Sequence, residues 1–212
     1  MITEIMTVHE ALSSLKTLDA RIFKEVNRAG FTILHKACEN KINGAPLADE
    51  MDKIKSRYNS IADMLARRAA IRNALSQSNA ETKVTIAGRE YTMAEAIEMR
   101  KAGVKLKQQF VDVMMSEYEK FEKRAREWNN EALTNSADAY ISKMYGSRDA
   151  IDAQTVEASR AAYIEANKME IVDPLDVRKK AEALQNEIDQ FMSEVDSRIS
   201  VSNAITQLTI SY

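Results

Sequence analysis

His35 and Cys38 stand three residues apart with Glu39 beside the thiol, so one short stretch holds a nucleophile, a base and a carboxylate. A thiol becomes a nucleophile when a nearby base takes its proton. No third orienting group and no oxyanion turn accompany the pair in a recognisable pattern. Zinc needs three or four ligands, commonly paired cysteines and histidines. The only other histidine is His9, in a different element. Cys38 therefore reads as a small thiol in a connecting arm, and we expect no catalytic residue, no metal and no cofactor.

The remaining chemistry-bearing residues read the same way. There is no G-x-x-x-x-G-K-S/T and no G-x-G-x-x-G phosphate loop. Carboxylates alternate with bases, as in Glu117, Glu119, Lys120, Glu122, Lys123 and Arg124, which is the pattern of a solvated, ion-paired helix face. The facing Glu-x-x-His pairs of a di-iron bundle are absent. Two basic clusters, Arg67-Arg68-Arg72 and Arg100-Lys101-Lys105-Lys107, could in principle meet a polyanion. Yet 30 basic residues face 32 acidic ones, for a net charge of −2, and no aromatics interleave the clusters. Such a balance gives no general attraction to nucleic acid or anionic membrane. The arginines and lysines read instead as cations lying along helix surfaces.

The elements that must carry these residues are helices. Five glycines and two prolines in 212 residues fall well below the average usage of about 12%. From 93 to 128 an apolar stripe steps alternately four and three residues: Met93, Ile97, Arg100, Val104, Lys107, Val111, Met114, Tyr118, Phe121, Ala125 and Trp128. That spacing is the seam of a helix packed lengthwise on another. Unbroken, such a helix is roughly 54 Å long at 1.5 Å per residue. Gly103 lies inside it and costs about 1 kcal/mol relative to alanine. The single cysteine excludes an internal disulfide. No basic n-region opens the chain and no run approaches 18 apolar residues, so we expect neither a signal peptide nor a transmembrane helix.

Along the chain, Thr7 and Glu10 have capping-box spacing and open a first helix that Gly30 ends. Residues 30–46 read as an extended or irregular arm, with strand character at Phe31-Thr32-Ile33-Leu34 and turn signals at Asn43-Gly44 and Pro46. A second helix runs from Leu47 to about Gln77. The β-branched stretch 82–91, within a 78–91 segment between helices, reads as a small β-hairpin. Thr92 and Glu95 repeat the capping-box spacing. Residues 134–149 carry mixed signals, and a further helix covers about Ala150 to Lys168. Asp173-Pro174 reads as the cap and first residue of the last helix. After Asn203, residues 204–212 alternate Leu208, Ile210 and Tyr212 on one face, as an edge strand does. A strand of that kind can pair within the chain or with a neighbouring subunit.

The order of these elements resembles a group of small bacterial and phage-encoded helical-hairpin proteins, some labelled septicolysin. The likeness rests on Glu10-Ala11-Leu12, Leu18-Asp19-Ala20-Arg21-Ile22, Thr92-Met93-Ala94-Glu95-Ala96-Ile97-Glu98-Met99-Arg100, Ile171-Val172-Asp173, Ala181-Glu182-Ala183-Leu184, and Ile199 with Asn203. Against that pattern residues 132–168 look like an insertion. The resemblance implies a helical hairpin with a small β element and no catalytic residues to carry over. Its label also implies an alternative, a cytolysin-like membrane-acting protein.

The expected fold is mainly α: a single elongated domain over 1–212, an antiparallel helical bundle or coiled-coil hairpin with a β-hairpin and a strand-like terminal arm. The expected role is non-enzymatic assembly, most naturally as a bacteriophage virion component of the tail, neck or capsid. Homo-oligomers and other virion proteins are the expected partners, with no small-molecule substrate. The expected interface residues are Phe31, Ile33, Val84, Ile86, Tyr91, Leu208, Ile210 and Tyr212.

Overall fold

A computed structural model describes residues 2–38, 40–42, 44–146 and 152–212. Glu39, Asn43 of the Asn43-Gly44 turn, and Ala150, the expected start of a helix, lie outside the described residues. The fold is mainly α, about 75% helical, with small antiparallel strand pairs. No helix among the described residues is long and apolar enough to cross a membrane. The chain divides into two compact units, Met1–Arg100 with Phe191–Tyr212, and Lys101–Gln190. The sequence reads as one domain because its heptad stripe runs on without a break across this boundary, and periodicity does not record a change of packing partner.

In the first unit, strand β1 (Thr3–Thr7) leads directly into helix α1 (Val8–Arg28). Thr7 closes a full capping box: the Glu10 N–H donates to Thr7 Oγ1 at 3.2 Å, and the Thr7 N–H donates to Glu10 Oε2 at 2.7 Å. Val8, Ala11, Leu15 and Leu18, stepping three, four and three, form the buried face. Helix α2 (Leu47–Glu81) runs antiparallel to α1. Arg68 reaches Asp19 in mid-helix, whereas Arg57, nearer the start of α2, donates to the Gly30 carbonyl beyond the end of α1 at 3.0 Å. Ile71 and Leu75 close the core from the α2 side. Each of these buried aliphatics contributes about 1.5–3 kcal/mol before ordering entropy is subtracted.

Strand β6 (Gln207–Ser211) pairs antiparallel with β1, in register Thr3↔Ser211 through Thr7↔Gln207. Leu208 and Ile210 point into the α1–α2 core and are buried. The strand expected over 204–212 thus begins at Gln207, because the last helix holds on to Ile205, and it finds its partner within the chain.

The arm between α1 and α2 departs from expectation. Among its described residues β2 (Lys41–Ile42) pairs with β3 (Ala45–Pro46). Residues 31–34, expected to be strand-like, are irregular. A strand needs a partner backbone, and Phe31 and Ile33 instead find apolar neighbours on α2, where Leu47, Met51 and Ile54 line a cleft with them.

β4 (Lys83–Ile86) and β5 (Arg89–Thr92) form the expected hairpin. Residues 78–81 are the last turn of α2 rather than part of it, and the Thr82 N–H donates to the Ser78 carbonyl at 2.8 Å. Ala87 and Gly88 both have positive φ, 49° and 74°, the pattern of a type I′ turn whose twist matches the strands. Thr92 and Glu95 then cap α3 (Met93–Glu98) with a second complete box.

The helical run from Met93 is not uniform. A π-helical segment, Met99–Gly103, separates α3 from α4 (Val104–Glu127), and another, Trp128–Ala132, precedes α5 (Leu133–Tyr145). A π segment admits an extra residue into a turn, so Gly103 marks a local change of helical winding. At Asn130 the backbone leaves helical geometry altogether, at φ −80° and ψ −113°.

In the second unit, α4 packs antiparallel on the first part of helix α7 (Val177–Ile205). Val111, Ala181 and Ile188 form the buried centre, with Val104, Met114, Met115 and Leu184 against it. Gln108 bonds Gln185 at 2.9 Å, and both oxygens of Glu122 accept from Arg178 at 2.9 and 2.8 Å. Within 132–168, expected as an insertion, the described residues form a helix pair, α5 with α6 (Ala153–Asn167). Tyr140 stacks on Tyr163 at 4.5 Å between ring centroids, and Tyr145 and Ser159 share a hydroxyl bond of 2.8 Å.

Asp173 does cap α7, but at a distance. Its carboxylate takes the N–H groups of Leu175 and Val177 at 3.2 and 3.0 Å, and the helix starts at Val177 rather than Pro174. Asp176, with φ 54°, supplies the bend that separates the cap from the first turn.

Candidate assembly surfaces

The residues expected to do chemistry are not gathered by the fold. Cys38 is a free, exposed thiol. The His35 ring nitrogen Nδ1 bonds its neighbour's carbonyl, that of Lys36, at 2.8 Å. Glu39 lies outside the described residues. Among the described residues no group of three or more His, Cys, Asp or Glu is placed to hold a metal ion.

Of the basic clusters, Arg67, Arg68 and Arg72 are engaged within the chain. Arg67 bonds Glu4 at 2.8 Å, Arg68 bonds Asp19 at 2.5 Å, and Arg72 lies 3.9 Å from the same Asp19. The Arg68 guanidinium holds the Asp19 carboxyl below the usual aspartate range, helped by Arg72. Arg100 pairs with Asp196 at 2.6 Å and Lys107 with Glu187 at 3.3 Å. These contacts join distant segments of each unit, which is a structural use of charge.

The eight expected interface residues divide. Val84, Ile86, Leu208 and Ile210 are buried against their own chain. Expected at an interface, these four lie instead in the chain's own core, because the pleat lines them on one face and that face is covered within the chain. Tyr91 is partly buried and meets Phe191 edge-to-face at 5.7 Å. Tyr212 is partly buried and donates its hydroxyl to Glu4. Ile33 is partly buried and Phe31 exposed, both lining the cleft against α2, about 390 Å³ in volume.

The sequence pattern puts Leu12 and Val26 on the apolar face of the first helix and Met51, Tyr58 and Leu65 on that of the second, but it does not tell that they stay open once these cores are built. On α2, Met51, Tyr58 and Leu65 recur every seven residues and stand about half exposed. On α1, Leu12, Phe23 and Val26 are exposed as well. Antiparallel packing brings the two sets to one side of the hairpin, the side where Asp19 takes Arg68 and Arg72. On α4, Leu106, Phe110 and Val113 stand 68, 57 and 55% exposed. The signal was present in the spacing of the α2 and α4 sets, which step by seven, and by four and three. Contiguous apolar surface of this kind marks interaction sites on folded proteins.

Compared with protein-family models, curated proteins and solved structures, the chain matches none.

Proposed function

We propose that this chain is a non-enzymatic structural protein that assembles with copies of itself and with other proteins of a bacteriophage particle, as a tail, neck or capsid-associated component. The observation that carries the reading is the apolar helix surface left over after both units have formed their cores: Phe23, Tyr58 and Leu65 in the first, Leu106, Phe110 and Val113 in the second. Such surface is costly in water and is retained where a partner covers it. The ion pairs and capping boxes act in support, since they are used to lock the fold rather than to line a reactive cleft. Helix faces, more than strand arms, supply the assembly surfaces, because the arm residues Leu208 and Ile210 are used internally.

Solution mass by light scattering, from micromolar to millimolar protein, tests the assembly half of the reading. We expect mass to rise above 23.9 kDa with concentration. A monomer throughout that range removes it. Peptide mass spectrometry of gradient-purified particles from the producing culture tests the virion half, and absence of the chain from them would leave an assembly protein of another setting.

A further inference from the structure

Strand β6 is paired along one edge. Ile2 and Tyr212 exchange both backbone bonds, at 2.8 and 3.1 Å, and in an antiparallel ladder such pairs recur at every second residue. Leu208, Ile210 and Tyr212 therefore turn their N–H and C=O groups to β1, whereas Gln207, Thr209 and Ser211 turn theirs outward. Among the described residues no strand lies on that outer edge. The side chains of Leu208 and Ile210 are used internally, but the far edge of the same backbone is open. The usual protections are missing from it: β6 has no charge, no proline and no bulge in its register. The outer edge of β1 is shorter, since the Thr7 N–H goes to Glu10.

The chain also holds the converse, a strand-type segment without a sheet. Phe31-Thr32-Ile33-Leu34 is uncharged and built of aromatic, β-branched and aliphatic residues. Among the described residues no backbone hydrogen bond holds these four, and Leu34 stands 99% exposed. The segment does not reach β6 of its own chain. Its cleft lies against Leu47, Met51 and Ile54, whereas β6 packs on Ile71 and Leu75. From Met51 to Ile71 is about 30 Å along α2 at 1.5 Å per residue. Nor does the β6 of a second copy fit the edge. Each β6 rests on its own α2, and two strands about 4.8 Å apart would force together helices that need about 8–10 Å between axes.

We infer that the outer edge of β6 takes the segment Phe31–Leu34 of a second copy as an added strand. Each copy then donates one arm and accepts another, a head-to-tail contact that continues into a ring or filament. Main-chain hydrogen bonds supply the affinity. A four-residue strand makes few of them, so the contact depends on protein concentration. It rests on the assembly reading above and adds a backbone contact to its helix faces.

Backbone hydrogen exchange by NMR, on the full chain at micromolar and at millimolar protein, reads the edge directly. The N–H groups of Gln207, Thr209 and Ser211 and those of the arm slow together at the higher concentration, by about tenfold or more. Leu208 and Ile210, bonded to β1, exchange slowly at both. Thr209→Pro removes one outward N–H and leaves the β1 bonds, which that position does not make. Ile33→Pro with Leu34→Pro spoils the arm. Each variant alone loses the concentration-dependent protection with an unchanged circular dichroism spectrum. Mixed one to one they regain it, in the arm of the first and the edge of the second, because one still donates and the other still accepts. Thr209→Lys, a charge on the open edge, repeats the loss should Ile210 lose its own protection in the proline variant. If the wild type gains mass while neither set of N–H groups slows, the edge contact is wrong and the assembly reading stands. Slowing at Gln207, Thr209 and Ser211 without the arm, or failure of the mixture to regain it, overturns the arm as donor. A wild-type monomer at every concentration overturns both readings.

Discussion

The Tyr212 hydroxyl donates to Oε1 of Glu4, 208 residues away in sequence, while the other carboxylate oxygen of Glu4 accepts from Arg67 at 2.8 Å. One carboxylate on β1 thereby ties the residue following β6 to the middle of α2. Removing the tie has a defined cost. Tyr212→Phe keeps the ring, including its position near the Arg67 guanidinium, and lowers stability by about 1 kcal/mol. Glu4→Ala costs about 1–2 kcal/mol, because Arg67, whose Nε already lacks a partner, loses its carboxylate. Urea unfolding with the slope held constant measures both.

The same cluster sets a pH profile. The Arg67 bond, then the Tyr212 bond, hold the Glu4 carboxyl below its ordinary 4.5; the Arg68 bond holds Asp19 below 3.8. Backbone N–H donation from Thr7 and Thr92 lowers Glu10 and Glu95 likewise. Each group contributes stability above its ordinary value and loses it as pH falls through its folded value. Tyr212 is raised above 10 by its bond to Glu4, so its contribution is present below 10 and is lost as pH rises through the folded value. Melting temperatures from about pH 3 to 11 should fall at both ends, and Glu4→Gln should flatten the alkaline fall and part of the acid one.

The hairpin turn offers a stabilising change. Gly88 sits at φ 74° and Ala87 at φ 49°. Gly88→Ala forces a side chain into the left-handed region and costs about 1 kcal/mol. Ala87→Asn places the residue preferred in a type I′ turn and gains about 0.5 kcal/mol, provided the Ala87 N–H keeps its 3.3 Å bond to Glu194. Thermal melts of the two variants should shift in opposite directions.

Burial separates the two halves of the C-terminal apolar sequence. Ile210→Ala leaves a cavity among Val8, Leu15 and Leu208 and costs about 2–4 kcal/mol. Ile205→Ala, at a residue 73% exposed, changes stability by less than about 0.5 kcal/mol. Equal effects at the two positions, measured by chemical denaturation, would mean that β6 does not pack as described.

Both capping boxes should behave as independent locks. Thr7→Ala and Thr92→Ala each remove an acceptor for a helix-start N–H and cost about 1 kcal/mol. The double variant should show the sum, since additivity holds for sites without shared partners.

What could be read locally was read. Thr7 with Glu10, Thr92 with Glu95, and Gly88 after the β-branched stretch Val84-Thr85-Ile86 act through contacts within a few residues, so their types and spacing suffice. The four-three stripe of α4 likewise reports its own buried face, Val104, Val111 and Met114. The alternation of Leu208 and Ile210 is enough to specify a strand with one apolar face.

Partner choice was another matter. That β6 pairs with β1 depends on Thr3–Thr7 lying across a helix hairpin whose far side is residues 71 and 75. Phe31 and Ile33 have strand-like residue types but line a cleft against α2, because Leu47, Met51 and Ile54 present an apolar wall there and, among the described residues, no strand pairs with 31–34. Asp173 caps a helix three residues further on than its spacing suggests, since Asp176 turns through positive φ. Propensity and pattern are sums over neighbours in sequence. Which of several apolar faces is covered, and by what, is settled by contacts between residues far apart in the chain, and these only the tertiary structure decides.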